Sequence, residues 1–136
     1  MAQVEKEVPK VKFVDRVQEP WFKLLKQGTK RYEGRVRRNH WAMLVPGERF
    51  RFVVAQSKES EEEEERQESL LLAVTSVHCF ATFGDAWEEL GDELIPPGHG
   101  VDSSREAVEE LYSQFYSEEV IKEHGVVAVA VSVVPE

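Results

Sequence analysis

The nine residues from Val126 to Val134 are all Val or Ala except Ser132. An extended chain turns alternate side chains to opposite faces, so this segment is apolar on both. Such a strand needs cover on both sides, either as an inner strand between two layers or as part of the wall of a closing barrel. The other segments supply that cover. Val11 to Val14 reads as a short strand and Asp15 to Glu19 as a polar connection. Pro20 suits a first helical turn, Trp21, Leu24 and Leu25 follow at helical spacing, and Gly28 fits the position just past the helix end. Strands are expected over Arg31–Arg37, Arg49–Val54 and Leu70–Phe80, with an apolar stretch at Trp41–Val45 and a turn at Pro46-Gly47. Gly84–Leu90 reads as a short helix burying Trp87. Ser104–Tyr116 reads as an amphipathic helix with Val108, Leu111, Tyr112 and Phe115 on its apolar stripe and Ser103 or Ser104 as cap. A further helical turn over Ser117–Glu123 ends at Gly125. The sum is one compact α+β domain around a small curved sheet.

Two segments are expected to stand apart from that domain: a flexible N-terminal arm over residues 1–10, and a mobile acidic loop over 57–69 containing the run Glu61 to Glu65. No apolar run approaches the ~20 residues needed to cross a bilayer, and the N-terminus lacks the apolar core of a secretion signal. A single cysteine, Cys79, forms no internal disulfide. An intracellular location, cytoplasmic or nuclear, is expected, with no membrane partner.

Charge is segregated along the chain. From Lys23 to Arg51 nine Lys/Arg face only Glu33 and Glu48, a net of +7, whereas Phe52 to Glu136 carries four basic and twenty acidic residues, a net of −16. The first 22 residues cancel and the whole chain is at −9. The basic section is where an anionic partner would dock, and the overall charge favours a short or single-stranded target over a long duplex. The acidic section, through the glutamate-rich loop over 57–69, offers a surface for a basic protein partner.

Within the basic section, Gly28-Thr29-Lys30-Arg31-Tyr32-Glu33-Gly34-Arg35 packs opposite charges into a short span. On a strand, Arg31, Glu33, Arg35 and Arg37 share one face, and Tyr32, Gly34 and Val36 form the expected core side. Lys30 sits at the strand's mouth within reach of Glu33. Arg35 carries a planar fork suited to phosphate, Lys30 a point charge, and Glu33 an acceptor for an exocyclic amine. The same three side chains would also serve as a scaffold of mutually neutralising ions. Arg37, Arg38, Arg49 and Arg51 could track a nucleic-acid backbone or line a solvated face. Trp21, Trp41 and His40 are stacking candidates, with Trp41 better placed for the core, and Tyr116 could reach the cleft with its hydroxyl. No metal-ligand spacing, P-loop, nucleophile elbow or dinucleotide fingerprint is present, so no metal or cofactor is expected. Cys79 reads as a buried strand thiol.

The stretch from Gly28 to Arg35 resembles the G-x-K-x-x-E-x-R signature of the ASCH domain, a relative of the PUA domain. Similarity continues through Val45-Pro46-Gly47-Glu48 with Arg49–Phe52, Val74–Val77 with Phe83–Trp87, Phe115–Ser117, and Gly125–Val129, and spans residues 11 to 134. The resemblance implies a PUA-like small β-barrel flanked by short helices, with the charged motif lining a cleft. It implies binding of RNA or a nucleotide-like ligand at the motif residues Lys30, Glu33 and Arg35, to which the chemistry of the other residues adds Arg37, Arg38, Trp21 and Tyr116. Some relatives are small hydrolases of modified nucleosides, and some have been proposed to cut RNA. In the hydrolase branch a threonine stands where Glu33 stands here, and Thr29 occupies a different motif position. If this chain were an enzyme, Lys30 and Glu33 would be its acid–base pair. A protein-interaction adaptor is the third reading.

Overall fold

The computed structural model describes residues 10–55 and 68–136. The expected arm over 1–10 and acidic loop over 57–69 fall largely outside these residues. Five strands and four helices follow one another as β1 (Val11–Val17), α1 (Trp21–Gln27), β2 (Tyr32–Val36), β3 (Arg49–Val54), β4 (Ser69–Phe80), α2 (Phe83–Leu90), α3 (Arg105–Ser113), α4 (Glu118–His124) and β5 (Val126–Val133). Short 3-10 turns occupy Asn39–Ala42 and Gly91–Glu93. The strands form one curled sheet in the order β1-β3-β4-β5-β2. Every pairing is antiparallel except β1 with β3. The curl makes a half-barrel, because β1 and β2 end the sheet and no ladder joins them.

The apolar β5 behaves as its composition requires. It lies between β4 and β2, and Val126 through Ala130 are buried. Its two faces meet two different cores. Val127 and Val129 pack with Phe22, Leu25, Trp41, Phe50, Phe52 and Leu72 on the concave side of the sheet. Val126 packs with Val36, Phe83, Leu94, Val108 and Tyr112 under α2 and α3. β2 shares this position. Val36 joins the second core as expected, but the opposite face of β2 is not left to water. Glu33 is buried, and the Arg35 guanidinium lies 4.8 Å from the Trp41 ring and 5.1 Å from that of Phe52.

Several local expectations need adjustment. β1 runs on to Val17 instead of stopping at Val14, because Asp15, Arg16 and Val17 continue its parallel ladder with Phe52, Val53 and Val54 of β3. Cys79 is exposed, not buried: it stands opposite Val127 one residue from the end of β4, where cover over that face runs out. Trp87 is half-buried, with an enclosed indole N–H that has no partner among the described residues. Phe115 lies past the end of α3 and is 49% exposed. Ser104, not Ser103, caps α3, its hydroxyl accepting from the Ala107 N–H. Arg105 then ties α3 to α2, reaching Asp85 at 2.8 Å and Glu88 at 2.9 Å.

Gly28 ends α1 in the left-handed region (φ 79°), and its N–H and that of Thr29 return to the last carbonyls of the helix. The turn so formed delivers Lys30 to the mouth of β2. A side chain in this conformation costs about 1–2 kcal/mol. Gly28→Ala is expected to lower stability by that amount, measured by urea denaturation, with the midpoint falling and the slope unchanged.

Candidate functional site

The open side of the half-barrel forms a cavity of about 360 Å³. Its walls come from the end of β1 (Arg16, Val17, Gln18), the start of α1 (Trp21), β2 with its preceding turn (Lys30, Glu33, Gly34, Arg35), and the C-terminal part of α3 with the turn after it (Leu111, Tyr112, Phe115, Tyr116). A wider groove of about 560 Å³ lies on the other side of Lys30, but Lys30 is the only buried charged residue in its lining.

Lys30 and Glu33 are the only buried charged residues among those described, at 2% and 5% exposure. The Lys30 ammonium donates to the Leu94 carbonyl and lies 3.8 Å from Glu33 Oε1. Burial pushes it down to about 8, against the pull of the Glu33 carboxylate. Arg35 donates from Nε (3.0 Å) and NH2 (2.8 Å) to Glu33 Oε2. Its NH2 also reaches the Arg16 carbonyl at 2.9 Å, and NH1 lies 3.7 Å from Asp15 Oδ2. Burial opposes the charge on Arg35, but Glu33, Tyr116 and Asp15 outweigh it and hold the guanidinium above its ordinary value. Two cations and two carboxylates therefore balance, with Lys30, Glu33 and Arg35 at the cavity floor and Asp15 behind it. The fork of Arg35 is engaged with Glu33 and Arg16, so only NH1 has donors without a hydrogen bond.

A strand edge completes the cavity. The Arg31 carbonyl accepts from the Val131 N–H (2.9 Å), and the Arg37 N–H donates to the Gly125 carbonyl (3.0 Å). These two bonds fix the phase of the antiparallel β2–β5 ladder: odd-numbered residues of β2 bond to β5, and Tyr32, Gly34 and Val36 turn their peptide groups toward the free edge. The absence of a side chain at Gly34 is required, since a Cβ there would stand 2.8 Å from the Tyr112 hydroxyl. Burial raises the Tyr112 phenol far above its ordinary value, so it remains a neutral donor. Burial also raises Tyr116, while Arg35 and the Val36 peptide pull the other way.

Of the residues singled out in the sequence, Lys30, Glu33, Arg35, Trp21 and Tyr116 are thus brought to one cavity. Arg38 stands at its margin, its guanidinium 5.8 Å from the Tyr116 ring. Arg37 is exposed and does not line the cavity. Trp41 is in the core, and His40 stacks on Phe13 at 3.9 Å, outside the cavity. Arg51 is engaged by Glu136 at 2.8 Å. The sequence reading missed Asp15, Arg16 and the placement of the Tyr112 hydroxyl against Gly34. No local pattern marks the first two, because they matter only once β1 meets β2. Among the described residues no three His, Cys, Asp or Glu side chains converge as a metal site requires, and no helix is long and apolar enough to cross a membrane.

A curled five-stranded half-barrel with helices over one end and a charged cleft at its open side defines a PUA-like domain. The chain belongs to the ASCH domain family, whose sequence profile matches residues 16–135. It is similar to the crystal structure of hypothetical protein PH0355, with 28% identity, a TM-score of 0.69, and coverage of 90% of this chain and 98% of that one. It is also similar to the solution NMR structure of protein PF0455 from Pyrococcus furiosus, with 25% identity, a TM-score of 0.62, and coverage of 91% and 98%. No curated protein matches the chain.

Two outcomes follow from the floor and the edge. Lys30 is held at about 8 in the native state against 10.5 as its ordinary value, so between those pH values the folded protein binds fewer protons than the unfolded chain. The penalty for burying the ammonium is fully present below pH 8 and is relieved as pH rises toward 10.5. Relative to Lys30→Met, the wild type should gain on the order of 3 kcal/mol across that window, read from urea denaturation at stepped pH. Gly34→Ala should cost about 1–3 kcal/mol by overpacking. Tyr112→Phe, which removes the crowding oxygen, should recover part of that loss in a double-mutant cycle.

Proposed function

We propose that the cavity receives the base of a single-stranded RNA or nucleotide-like ligand, while the sugar–phosphate chain lies over the basic rim. The observation that carries this reading is a floor of Lys30, Glu33 and Arg35 beneath aromatic walls, its charge balanced internally with Asp15 behind it. A floor whose charges already cancel offers little to a phosphate, but its remaining donors, the Gly34 peptide edge and the Tyr112 hydroxyl suit a flat, uncharged, hydrogen-bonding ring. Its volume lies at the lower end of the ~300–1,000 Å³ range of small-ligand sites. Trp21 and Phe115 supply faces on which a base stacks, worth ~1–3 kcal/mol. Arg16 and Arg38 are exposed at the mouth, and Arg37 extends the basic rim beyond it. Membership of the ASCH family, whose domains commonly bind RNA, supports the same reading.

The test is binding of short single-stranded RNAs and of free nucleosides at several salt concentrations. Trp21→Ala is expected to weaken both ligands by roughly 5- to 150-fold, corresponding to ~1–3 kcal/mol, without changing the salt slope. Arg16→Ala combined with Arg38→Ala should weaken RNA alone and flatten its slope by about 0.7 per lost phosphate contact. Wild-type binding by both variants would overturn the assignment of the cavity.

A second reading, hydrolysis of RNA or of a modified nucleoside, is favoured by one observation: Lys30 is pushed down to about 8 beside Glu33. A lysine so lowered gives up a proton closer to neutral pH than an ordinary one, as a general base must. Incubation with short RNAs and acylated nucleosides decides it, since absence of turnover with and without added divalent metal retires the idea.

A further inference from the structure

We propose that Asp15 is a positioning residue that holds the two unpaired ends of the sheet at a fixed separation and thereby sets the width of the cavity. Only its second readout rests on the RNA-binding reading above. The starting point is a gap: β1 and β2 are the outer strands, and no ladder spans the distance between them. Arg35 on β2 is the bridging side chain, donating to the Arg16 carbonyl on β1 at 2.9 Å. A long side chain holding one carbonyl is a weak hinge unless its remaining charge is also anchored on the far side.

Asp15 supplies that anchor. Its Oδ2 lies 3.7 Å from Arg35 NH1, so the guanidinium is drawn toward β1 as well as toward Glu33 on its own strand. The carboxylate is itself fixed from three directions. Its Oδ1 accepts the Arg16 N–H at 2.7 Å, and its Oδ2 accepts the Trp41 indole N–H at 3.1 Å and meets His40 Nε2 at 3.1 Å. Trp41 is a buried core residue, and the His40 ring stacks on Phe13 of β1. One carboxylate therefore joins β1, β2 and the 3-10 turn Asn39–Ala42 at the seam. Asp15 does not line the cavity, so its effect on a ligand passes through Arg35 and Arg16.

Burial works to raise the Asp15 carboxyl, but the Arg16 N–H, the Arg35 charge and the His40 and Trp41 contacts together hold it below the ordinary carboxylate range. The tie therefore persists from neutral pH into the acid range and is lost as pH falls through that depressed value.

The experiment compares wild type, Asp15→Asn and His40→Gln. Asn keeps one acceptor oxygen, for either the Trp41 indole or the Arg16 N–H, and removes the charge that anchors Arg35. Without ligand, the Arg35 Nε–H and Trp41 indole resonances of wild type should shift together on acidification. In Asp15→Asn the Arg35 resonance should be displaced at neutral pH and lose that titration, and amide exchange at Arg16 and Val17 should quicken about tenfold or more. With RNA, Asp15→Asn should dissociate roughly 3- to 10-fold faster at an unchanged salt slope, unlike the rim arginine variants. An Arg35 resonance and seam exchange identical to wild type would overturn the positioning role. Should Asp15→Asn not fold, His40→Gln, altered at an exposed side chain, should give the same displacements in smaller degree, and their absence there would be equally decisive. If wild type binds no nucleic acid, the functional reading fails while the ligand-free spectra still decide the role of Asp15.

Discussion

Everything in this domain is arranged around a strand that has no polar face. Because β5 is apolar on both sides, it must be walled in by two cores, one inside the curl of the sheet and one beneath the helices. Its neighbour β2 is carried into the same position. Half of β2 is suited to it, since Val36 faces the helices as any core residue would. The other half bears Glu33 and Arg35, which are turned into the curl with Lys30 beside them. Isolated ions there would be prohibitively costly to desolvate. The outcome is mutual neutralisation, with Glu33 shared by two cations and Arg35 shared by two carboxylates.

That solution shapes what the cleft offers. Arg35, which in isolation is the natural hand for a phosphate, spends most of its donors on Glu33 and on the backbone of β1. The strain-free way to keep a guanidinium among Trp41 and Phe52 is to lay its flat face on their rings and its edge on oxygens, as observed. The groups left for a visitor are then mostly neutral: a peptide edge, two phenols and the faces of aromatic rings. Scaffold and site, posed as alternatives by the sequence, become two duties of the same side chains under the proposed function.

Much of this was legible in the order of residues. The Val/Ala run foretold a doubly covered strand, Gly28 the end of the first helix, and the Gly28–Arg35 signature the family. The alternation of β2 was also correctly phased, although its charged face was pictured at the mouth of the barrel and not within it. What escaped notice was long-range. Asp15 looked like part of a polar connection because the residues that employ it, Arg35, His40 and Trp41, lie 20 to 26 positions away. Cys79 looked buried because a strand of apolar neighbours gives no sign of where its cover ends, and Cys79 lies one residue from the end of β4. Phe115 looked like core because helical periodicity says nothing about where a helix stops.

The pairing of β2 with β5 also has a temporal meaning. Among the described residues β2 has one ladder, and its partner β5 is the strand farthest from it along the chain, made after all the other strands of the sheet. Until the ribosome has released that segment, Lys30, Glu33 and Arg35 remain hydrated and ordinary. The cleft is therefore among the final features to mature, arising when distant stretches of polypeptide are joined at high entropic cost. A chain interrupted before residue 126 would not possess a damaged version of this pocket; it would never have had one.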